Sequence, residues 1–391
     1  MIPLIGELFM NDLKNKKLLY NLVDTQPSLG VKRHGGGMYG ERVLTRIIES
    51  GRNVVAMYDS ALWLNPEIKE LCERFGVNLI DVTGRSIQSV IDEVLPDVYY
   101  SPQPTGTQYG LKGCGLVFTV HDMRDLELPL DRYFWKYKPD VRSQLKNVLR
   151  LIFPGRIFKR RYNKIRPFVT NENIRFSVVS NHSRSAVKLF FPELKEKEIP
   201  VMFSPSTVKE GHFKKKYDCD YFLLVSGVRW EKNNLRAIIA LDELCSEGYI
   251  DGKRVIVTGA DSKTAFKYKF KNPEIFSFVG YVDDDELRQL YHDAYCFIYP
   301  SLNEGFGYPP LEAMYYGVPV LASPFSSISE VCGDAALYFN PFSVDEIKMR
   351  IIQLESADVR ENLMKRGLER YRLIRERQDC DLDRIVDFIY S

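Results

Sequence analysis

The chain is predicted to be a doubly wound α/β protein built in two successive halves. Three observations predict it. Short apolar, β-branched or aromatic runs alternate with longer amphipathic runs from end to end, the pattern of parallel strands joined by crossover helices. The alternation starts afresh after a polar, charged, Pro- and Ser-containing stretch at 203–220. The 391 residues suffice for two or three cores of ordinary domain size.

In the first half, residues 18–24 form the first predicted strand. A glycine-rich loop follows, then a helix at 41–50 stopped by Gly51. Residues 53–58 are a strand, 67–75 a helix, and 97–100, 116–120 and 176–179 further strands. The run Ser180-Asn-His-Ser183 is suited to cap a helix starting near Arg184. In the second half the predicted strands are 222–226, 254–258, 276–279, 296–299 and 319–322, each followed by a helix-like run. The last stretch, 377–390, is amphipathic, with Leu382, Ile385, Val386 and Ile389 on one side. The expected division is 1–205 for the first domain and 206–374 for the second, with 375–391 returning to the first.

Composition excludes several classes. A hydrophobic fraction of 45% is that of a globular protein. A formal charge of +2 gives no reason to expect a nucleic-acid partner. No apolar run is long enough to span a bilayer and no signal peptide opens the chain, so a cytoplasmic location is expected. The seven cysteines are odd in number and scattered, without a CxxC, which points to free thiols rather than a disulfide framework. The charge is uneven at one place only: residues 136–166 hold eleven Lys/Arg against the single Asp140, interleaved with Leu145, Leu149, Leu151, Ile152, Phe153 and Phe158. Such a stretch suits an anionic membrane surface, while its plainer reading is a solvated helical pair with an apolar face on the core.

Candidate chemistry gathers at Glu304 and Glu312, which have seven residues between them in Glu-Gly-Phe-Gly-Tyr-Pro-Pro-Leu-Glu. The apolar run before them predicts a buried strand, and the run after them a short helix with prolines in its first turn and Gly317 past its end. One carboxylate thus lies at a strand's carboxyl end and the other in the first turn of the next helix, where ligands bind in open α/β sheets. A carboxylate accepts two hydrogen bonds from a vicinal diol. A helix start favours phosphate. The pair could clamp two diols with phosphate between them. A capping box is a poor alternative for Glu312, because Pro309 stands where Ser or Thr would be needed. The second cluster is Val225-Ser-Gly227-Val-Arg229-Trp-Glu-Lys232-Asn-Asn234, between a strand and a helix. Arg229 and Lys232 there are placed to neutralise a diphosphate without a metal.

These residues carry a family resemblance. The block Glu-Gly-Phe-Gly-Tyr-Pro-Pro-Leu-Glu-Ala-Met-Tyr-Tyr-Gly-Val-Pro-Val-Leu-Ala-Ser from Glu304 is similar to the signature of the family-four retaining glycosyltransferases of the GT-B fold. In matching order stand Gly35-Gly36-Gly37, Val120-His121-Asp122, Val179-Ser180-Asn181, Gly227 to Asn234, Val279-Gly280-Tyr281-Val282 and the run from Ser329. The resemblance implies two Rossmann-like domains facing across a cleft, with the donor held mainly by the second. It implies that Glu312 holds the ribose, Glu304 the donor sugar, Arg229 and Lys232 the diphosphate, and the backbone of Gly280 and Tyr281 the base. Gly305, Phe306, Gly307 and Tyr308 would meet the donor through their N–H groups. From the first domain, Gly36 and Gly37 would close over the diphosphate, and His121 would sit beside the reacting sugar carbon. Arg229 and Lys232 are three apart, closer than is usual in the family, which leaves open which cation makes which phosphate contact.

The implied reaction moves a sugar from a nucleotide-diphosphate sugar to a hydroxyl of a glycan or lipid-linked acceptor, in cell-surface polysaccharide synthesis, with no cofactor and no metal. The enzyme would be cytoplasmic, peripheral to the inner membrane face if 136–166 docks there. Two other readings stay open: an epimerase or phosphorylase on the same scaffold, and a non-catalytic sugar-nucleotide-binding subunit. Three motifs carry less. Gly35-Gly-Gly-Met-Tyr-Gly40 fits GxGxxG but lies too far from the preceding strand for a nicotinamide site. Asp283-Asp-Asp285 has metal-binding spacing but precedes a helix, where acids cap N–H groups. His121 has no second histidine at ligand spacing.

Overall fold

The computed structural model describes residues 16–27, 34–128, 131–137, 145, 148–149, 151–208, 214, 216 and 220–391. It divides into two compact units. Unit 1 comprises the described residues of Met1–Met123, Tyr162–Thr207 and Glu376–Ser391, and unit 2 those of Arg124–Arg161 and Val208–Arg375.

Unit 1 runs β1 (Leu18–Asn21), α1 (Gly35–Glu49), β2 (Val54–Tyr58), α2 (Pro66–Arg74), β3 (Asn78–Asp81), α3 (Ile87–Val94), β4 (Val98–Ser101), β5 (Gly115–Val120), the part of α4 (Pro154–Thr170) from Tyr162 on, β6 (Ile174–Val178) and α5 (Asn181–Phe190). Its six strands are parallel, in the order β3-β2-β1-β4-β5-β6. β1 and β4 are buried at every position, as central parallel strands covered on both faces must be. The helix after β6 starts at Asn181, one turn before the expected Arg184, because Ser180 Oγ accepts from the Ser183 N–H at 3.1 Å. The first strand ends at Asn21, and Val23–Thr25 form a 3-10 turn where strand was expected.

The triple glycine is helix, not loop. It forms the first turn of α1, whose Gly37 N–H donates to the His34 ring Nδ1 at 3.1 Å. Glycine serves close packing there rather than a left-handed φ, most firmly at Gly37, which faces backbone. A Cβ on Gly36 would collide with the Gln103 amide, and one on Gly37 would lie 2.7 Å from the Thr25 carbonyl oxygen.

Unit 2 runs β7 (Tyr221–Leu224), α6 (Asn234–Ser246), β8 (Arg254–Val257), β9 (Phe276–Phe278), α7 (Asp284–His292), β10 (Cys296–Tyr299), α8 (Tyr308–Tyr315), β11 (Val320–Ala322), α9 (Ile328–Cys332), β12 (Ala336–Tyr338) and α10 (Val344–Leu354). α11 spans Ala357–Tyr390. The sheet is parallel, in the order β12-β11-β10-β7-β8-β9. Its core joins β7, β8 and β10 to α6 and α10 through Phe222, Leu224, Ile238, Leu241, Val255, Ile298, Ile347 and Ile351.

The expected boundary left 124–161 in the first domain, whereas the described residues of that stretch group with unit 2. Packing explains the difference. The Leu235 N–H donates to the Tyr137 hydroxyl at 3.0 Å, and Arg236, 3% exposed, holds Asp131 through two hydrogen bonds. Residues 376–391 group with unit 1, where Gln378 donates to the Ser204 carbonyl at 2.6 Å and Arg46 pairs with Asp383. Half of the predicted linker lies outside the described residues, and its first part, through Thr207, belongs to unit 1. Of the basic segment 136–166, residues 138–144, 146–147 and 150 lie outside the described residues; the rest includes most of α4.

Candidate functional site

The strand order of unit 2 reverses between β7 and β10, so its ligand crevice lies beyond the carboxyl ends of those two strands. The loops leaving them carry most of the predicted donor residues. After β7 the chain passes Ser226 and Gly227, makes a 3-10 turn at Trp230–Lys232 and enters α6. After β10 it runs through Ser301 and Glu304 into α8, which begins at Tyr308, three residues before the expected 311, with prolines in its first turn. Gly307 at the cap has φ +108 and Gly317 past the end +69, conformations that L side chains resist.

Two side chains lock the loops together. Asn233 Nδ2 donates to the carbonyls of Pro300 and Pro341, and Asn234 Nδ2 to that of Val225. On this frame Lys232 meets Glu304: Nζ lies 2.5 Å from Oε1, with both residues 7% exposed. The same oxygen accepts from the Tyr299 hydroxyl at 2.6 Å and from Ser301 Oγ, and Lys232 also donates to the Tyr299 oxygen at 3.0 Å. Arg124 approaches the other carboxylate oxygen, Oε2, at 3.7 Å. Burial works against the Glu304 charge, but Lys232 and Arg124 outweigh it and hold the carboxyl at about 2. For Lys232, burial depresses the pKa, Glu304 restores part of it, and the neighbouring Arg229 and Arg124 depress it further.

Of the predicted donor residues, the structure therefore joins Lys232 to Glu304. Arg229 instead folds back on Glu231, with Nε and Nη2 donating to Oε1 at 2.8 and 2.6 Å. Its guanidinium remains about half exposed, whereas Lys232 is buried. Glu312, partly exposed on α8, hydrogen-bonds with the Tyr291 hydroxyl, whose pKa is raised by burial first and by Glu312 second. The backbone from Gly305 to Gly307 is buried, with Ser327 Oγ donating to the carbonyls of Glu304 and Phe306. Along the ends of β7, β8 and β9, Gly227 N–H donates to the Thr258 carbonyl at 2.7 Å and Gly280 N–H to that of Ala260 at 3.0 Å. This ledge exposes Val228, Val279 and Tyr281, with Tyr281 62% exposed.

Sequence reasoning missed Arg124, Tyr299, Ser301 and Glu231. Arg124 lay three residues past His121 in a run assigned to the other domain. Tyr299 reads in the sequence simply as the end of a buried strand. Glu231 stood inside the quoted loop, and its pairing with Arg229 was the available signal.

In unit 1, His121 follows β5. Its Nε2 donates to the Pro102 carbonyl at 2.8 Å, its ring stands edge-on to Tyr39, and its carbonyl accepts from Ser183 Oγ. Gly36 and Gly37 lie in the first turn of α1. Asp283 caps α7, accepting from the Glu286 N–H at 2.8 Å, so the Asp-Asp-Asp run starts a helix. Among the described residues, no group of three or more His, Cys, Asp or Glu side chains is placed to hold a metal ion, and no helix is long and apolar enough to cross a membrane. The described cysteines Cys72, Cys114, Cys245, Cys296, Cys332 and Cys380 are free thiols.

Residues 208–370 match the family described as glycosyl transferases group 1. The chain is 49% identical over 92 residues, 23% of its own length and 24% of the relative's, to O-antigen chain mannosyltransferase B of Escherichia coli. It is 34% identical over 148 residues, 37% of its length and 40% of the relative's, to O-antigen chain mannosyltransferase RfbU of Salmonella typhimurium. The chain thus spans less than half of either relative. Among solved structures, Anabaena Alr3699/HepE in complex with UDP-glucose superposes with a TM-score of 0.60 at 13% identity, over 95% of this chain and 99% of that one. At that identity the likeness is one of fold, and the fold is GT-B.

Proposed function

We propose that this chain, a group 1 glycosyl transferase by its residues 208–370 and a GT-B protein by its fold, transfers a sugar from a nucleotide-diphosphate sugar to a glycan or lipid-linked hydroxyl. The observation that carries the proposal is the crowding of Arg124, Arg229 and Lys232 at the switch point of unit 2, about the Glu231 and Glu304 carboxylates. Three cations gathered at one strand-end crevice are suited to a leaving diphosphate. Lys232 has three N–H donors, of which Glu304 and Tyr299 take two. The third is directed to phosphate in this reading, and Arg229 turns from Glu231 to join it. Glu304 keeps Oε2 for a hydroxyl of the donor sugar, Glu312 holds the ribose diol, and the exposed ledge at Val279–Tyr281 seats the base. The N–H groups of Gly305–Tyr308 meet the donor.

The relatives' names favour a transferase over an epimerase or phosphorylase and support mannose as the transferred sugar in polysaccharide synthesis. His121, Gly36 and Gly37 keep the roles that the family resemblance implies. Retention of anomeric configuration follows if the departing diphosphate oxygen takes the acceptor proton, which needs no carboxylate base. The cations would then replace a metal, so chelation with EDTA should leave the rate unchanged. A thermal-shift panel of nucleotide sugars identifies the donor, and NMR of the product identifies the anomer. Glu312→Ala and Arg229→Ala should each lower kcat/KM with that donor at least tenfold, the loss of a charge-assisted hydrogen bond. Wild-type rates in both variants would sink the assignment.

We also propose that 136–166 rests on an anionic membrane at the cytoplasmic face. Leu145, Leu149, Leu151, Ile152, Phe153 and Phe158 are 41% to 60% exposed beside Arg156, Lys159 and Arg160, which supports this reading over an apolar face buried on the core.

A further inference from the structure

In unit 2, the described residues 124–128 and 131–137 have little regular structure of their own. Arg124–Glu127 is one helical turn and Arg132–Lys136 a 3-10 turn. What places them is a line of contacts with the loops that carry Lys232 and Glu304. Arg124 approaches Glu304 Oε2 at 3.7 Å, and Asn303 Nδ2 donates to Glu127 Oε2 at 2.8 Å. Phe134 stands edge-on to Trp230, in the turn that ends at Lys232, with ring centroids 6.5 Å apart. The Tyr137 hydroxyl accepts from the Leu235 N–H in the first turn of α6, a helix whose Asn233 cap gives it no side-chain bond.

The strongest link is made by Arg236 of α6. Its Nη1 and Nη2 donate to the two oxygens of Asp131 at 2.5 and 3.0 Å, a forked geometry that fixes direction as well as distance. The guanidinium lies 3.7 Å from the centroid of the Tyr133 ring and 5.2 Å from that of Phe342. Nη1 also donates to Asn233 Oδ1 at 2.6 Å, and Asn233 is the residue that ties the loop after β7 to the Pro300 and Pro341 carbonyls. Both side chains of the pair are largely buried, at 3% and 12% exposure. An ion pair so placed adds little stability that apolar side chains of the same volume would not give, because both charges lose their water. Its distinctive property is a fixed position, and it fixes the segment that brings Arg124 to Glu304.

We propose that residues 124–128 and 131–137 act together as a strap on the donor loops, and that Asp131 and Arg236 are positioning residues for the transfer. Their clasp holds Arg124 where it adds a third cation, beside Arg229 and Lys232, to the leaving diphosphate. This rests on the transferase reading above and adds to it two residues that act through Arg124 rather than on substrate. When the diphosphate enters, Arg124 turns from Glu304 Oε2 to a phosphate oxygen, and Oε2 takes a hydroxyl of the sugar. The 3.7 Å separation is too long for a hydrogen bond, so the turn breaks no firm contact with Glu304. Asp131 keeps the strap in place while the Arg124 side chain moves.

The test is titration calorimetry on the full chain with UDP, GDP, dTDP and ADP, run as a double-mutant cycle. The wild type should bind at least one of them. Arg124→Ala should weaken that binding about tenfold, the worth of a hydrogen bond between charged groups. Asp131→Asn should weaken it by a similar factor, and the double variant should bind no more weakly than Arg124→Ala alone. Asp131→Glu, which keeps the charge, should recover part of the loss. A pair that merely braced the fold would add its own loss to that of Arg124→Ala. If Asp131→Asn fails to fold, Glu127→Ala, on the same strap and only partly buried, takes its place in the cycle. Wild-type affinity in the strap variant, or losses that add, overturns the strap and leaves the transferase reading standing. A wild type that binds none of the four diphosphates sinks that reading and the strap with it.

Discussion

Glu304 and Asp24 are carboxylates at the switch points of two similar sheets, and their surroundings drive them in opposite directions. Lys232 and Arg124 hold Glu304 at about 2, below its unfolded value near 4.5. Its stabilising contribution is therefore complete above pH 4.5 and fades as the pH falls toward 2. Glu304→Gln leaves the buried Lys232 without its counter-charge, so urea denaturation at pH 7 should show a loss of about 3–5 kcal/mol. Asp24 has the other sign. Its folded pKa, about 6, lies above the unfolded one, so the folded state takes up a proton and gains stability as the pH drops from 6 toward 4. Above pH 6 the charged form opposes folding. Asp24→Asn should accordingly melt no lower than the wild type at pH 8, and a fall in Tm there would mark Asp24 as a structural brace. The sequence pointed to Glu304, through its spacing to Glu312, but not to Asp24. An aspartate closing an apolar strand run has no local signature, and the Ser101 and Gln108 side chains that hydrogen-bond to it are distant in the chain.

Among the elements, the ends of β7, β8 and β9 form the ledge proposed for the base. A Cβ on Gly227 would come within 2.8 Å of Val257 Cγ1 and 2.9 Å of the Ala260 Cβ. Gly227→Ala should cost about 1–3 kcal/mol by overpacking and should weaken nucleotide binding in calorimetry. Central elements were legible in the sequence because burial on both faces writes a continuous apolar run, as in Cys296–Tyr299 and Tyr221–Leu224. Edge strands were not. Asn78–Asp81 alternates little and is exposed at both ends, and Ala336–Tyr338 is only three residues long. The first turn of α1 was missed for a different reason. Three glycines argue against a helix by propensity, and the close approaches of Gln103 to Gly36 and of the Thr25 carbonyl to Gly37 arise only in the folded chain.

For the whole molecule, the exposed apolar residues and cations of 136–166 predict sedimentation with vesicles containing anionic phospholipid at low salt. Binding should decline as added salt screens the electrostatic part, and vesicles of neutral lipid should bind much less. Absence of binding at low salt would refute the membrane role. The sequence by itself determined the two parallel α/β halves, the strand-end position of Glu304, Arg229 and Lys232, and the glycines around α8. Those features are local: burial periodicity, turn chemistry and spacing are written in neighbouring residues. Only the tertiary structure decided that 124–161 belongs with unit 2, that Lys232 is bonded to Glu304 while Arg229 rests on Glu231, and that Arg124 completes the cluster. Each of those depends on groups brought together from distant parts of the chain, where desolvation and charge, rather than residue type, set what a side chain does.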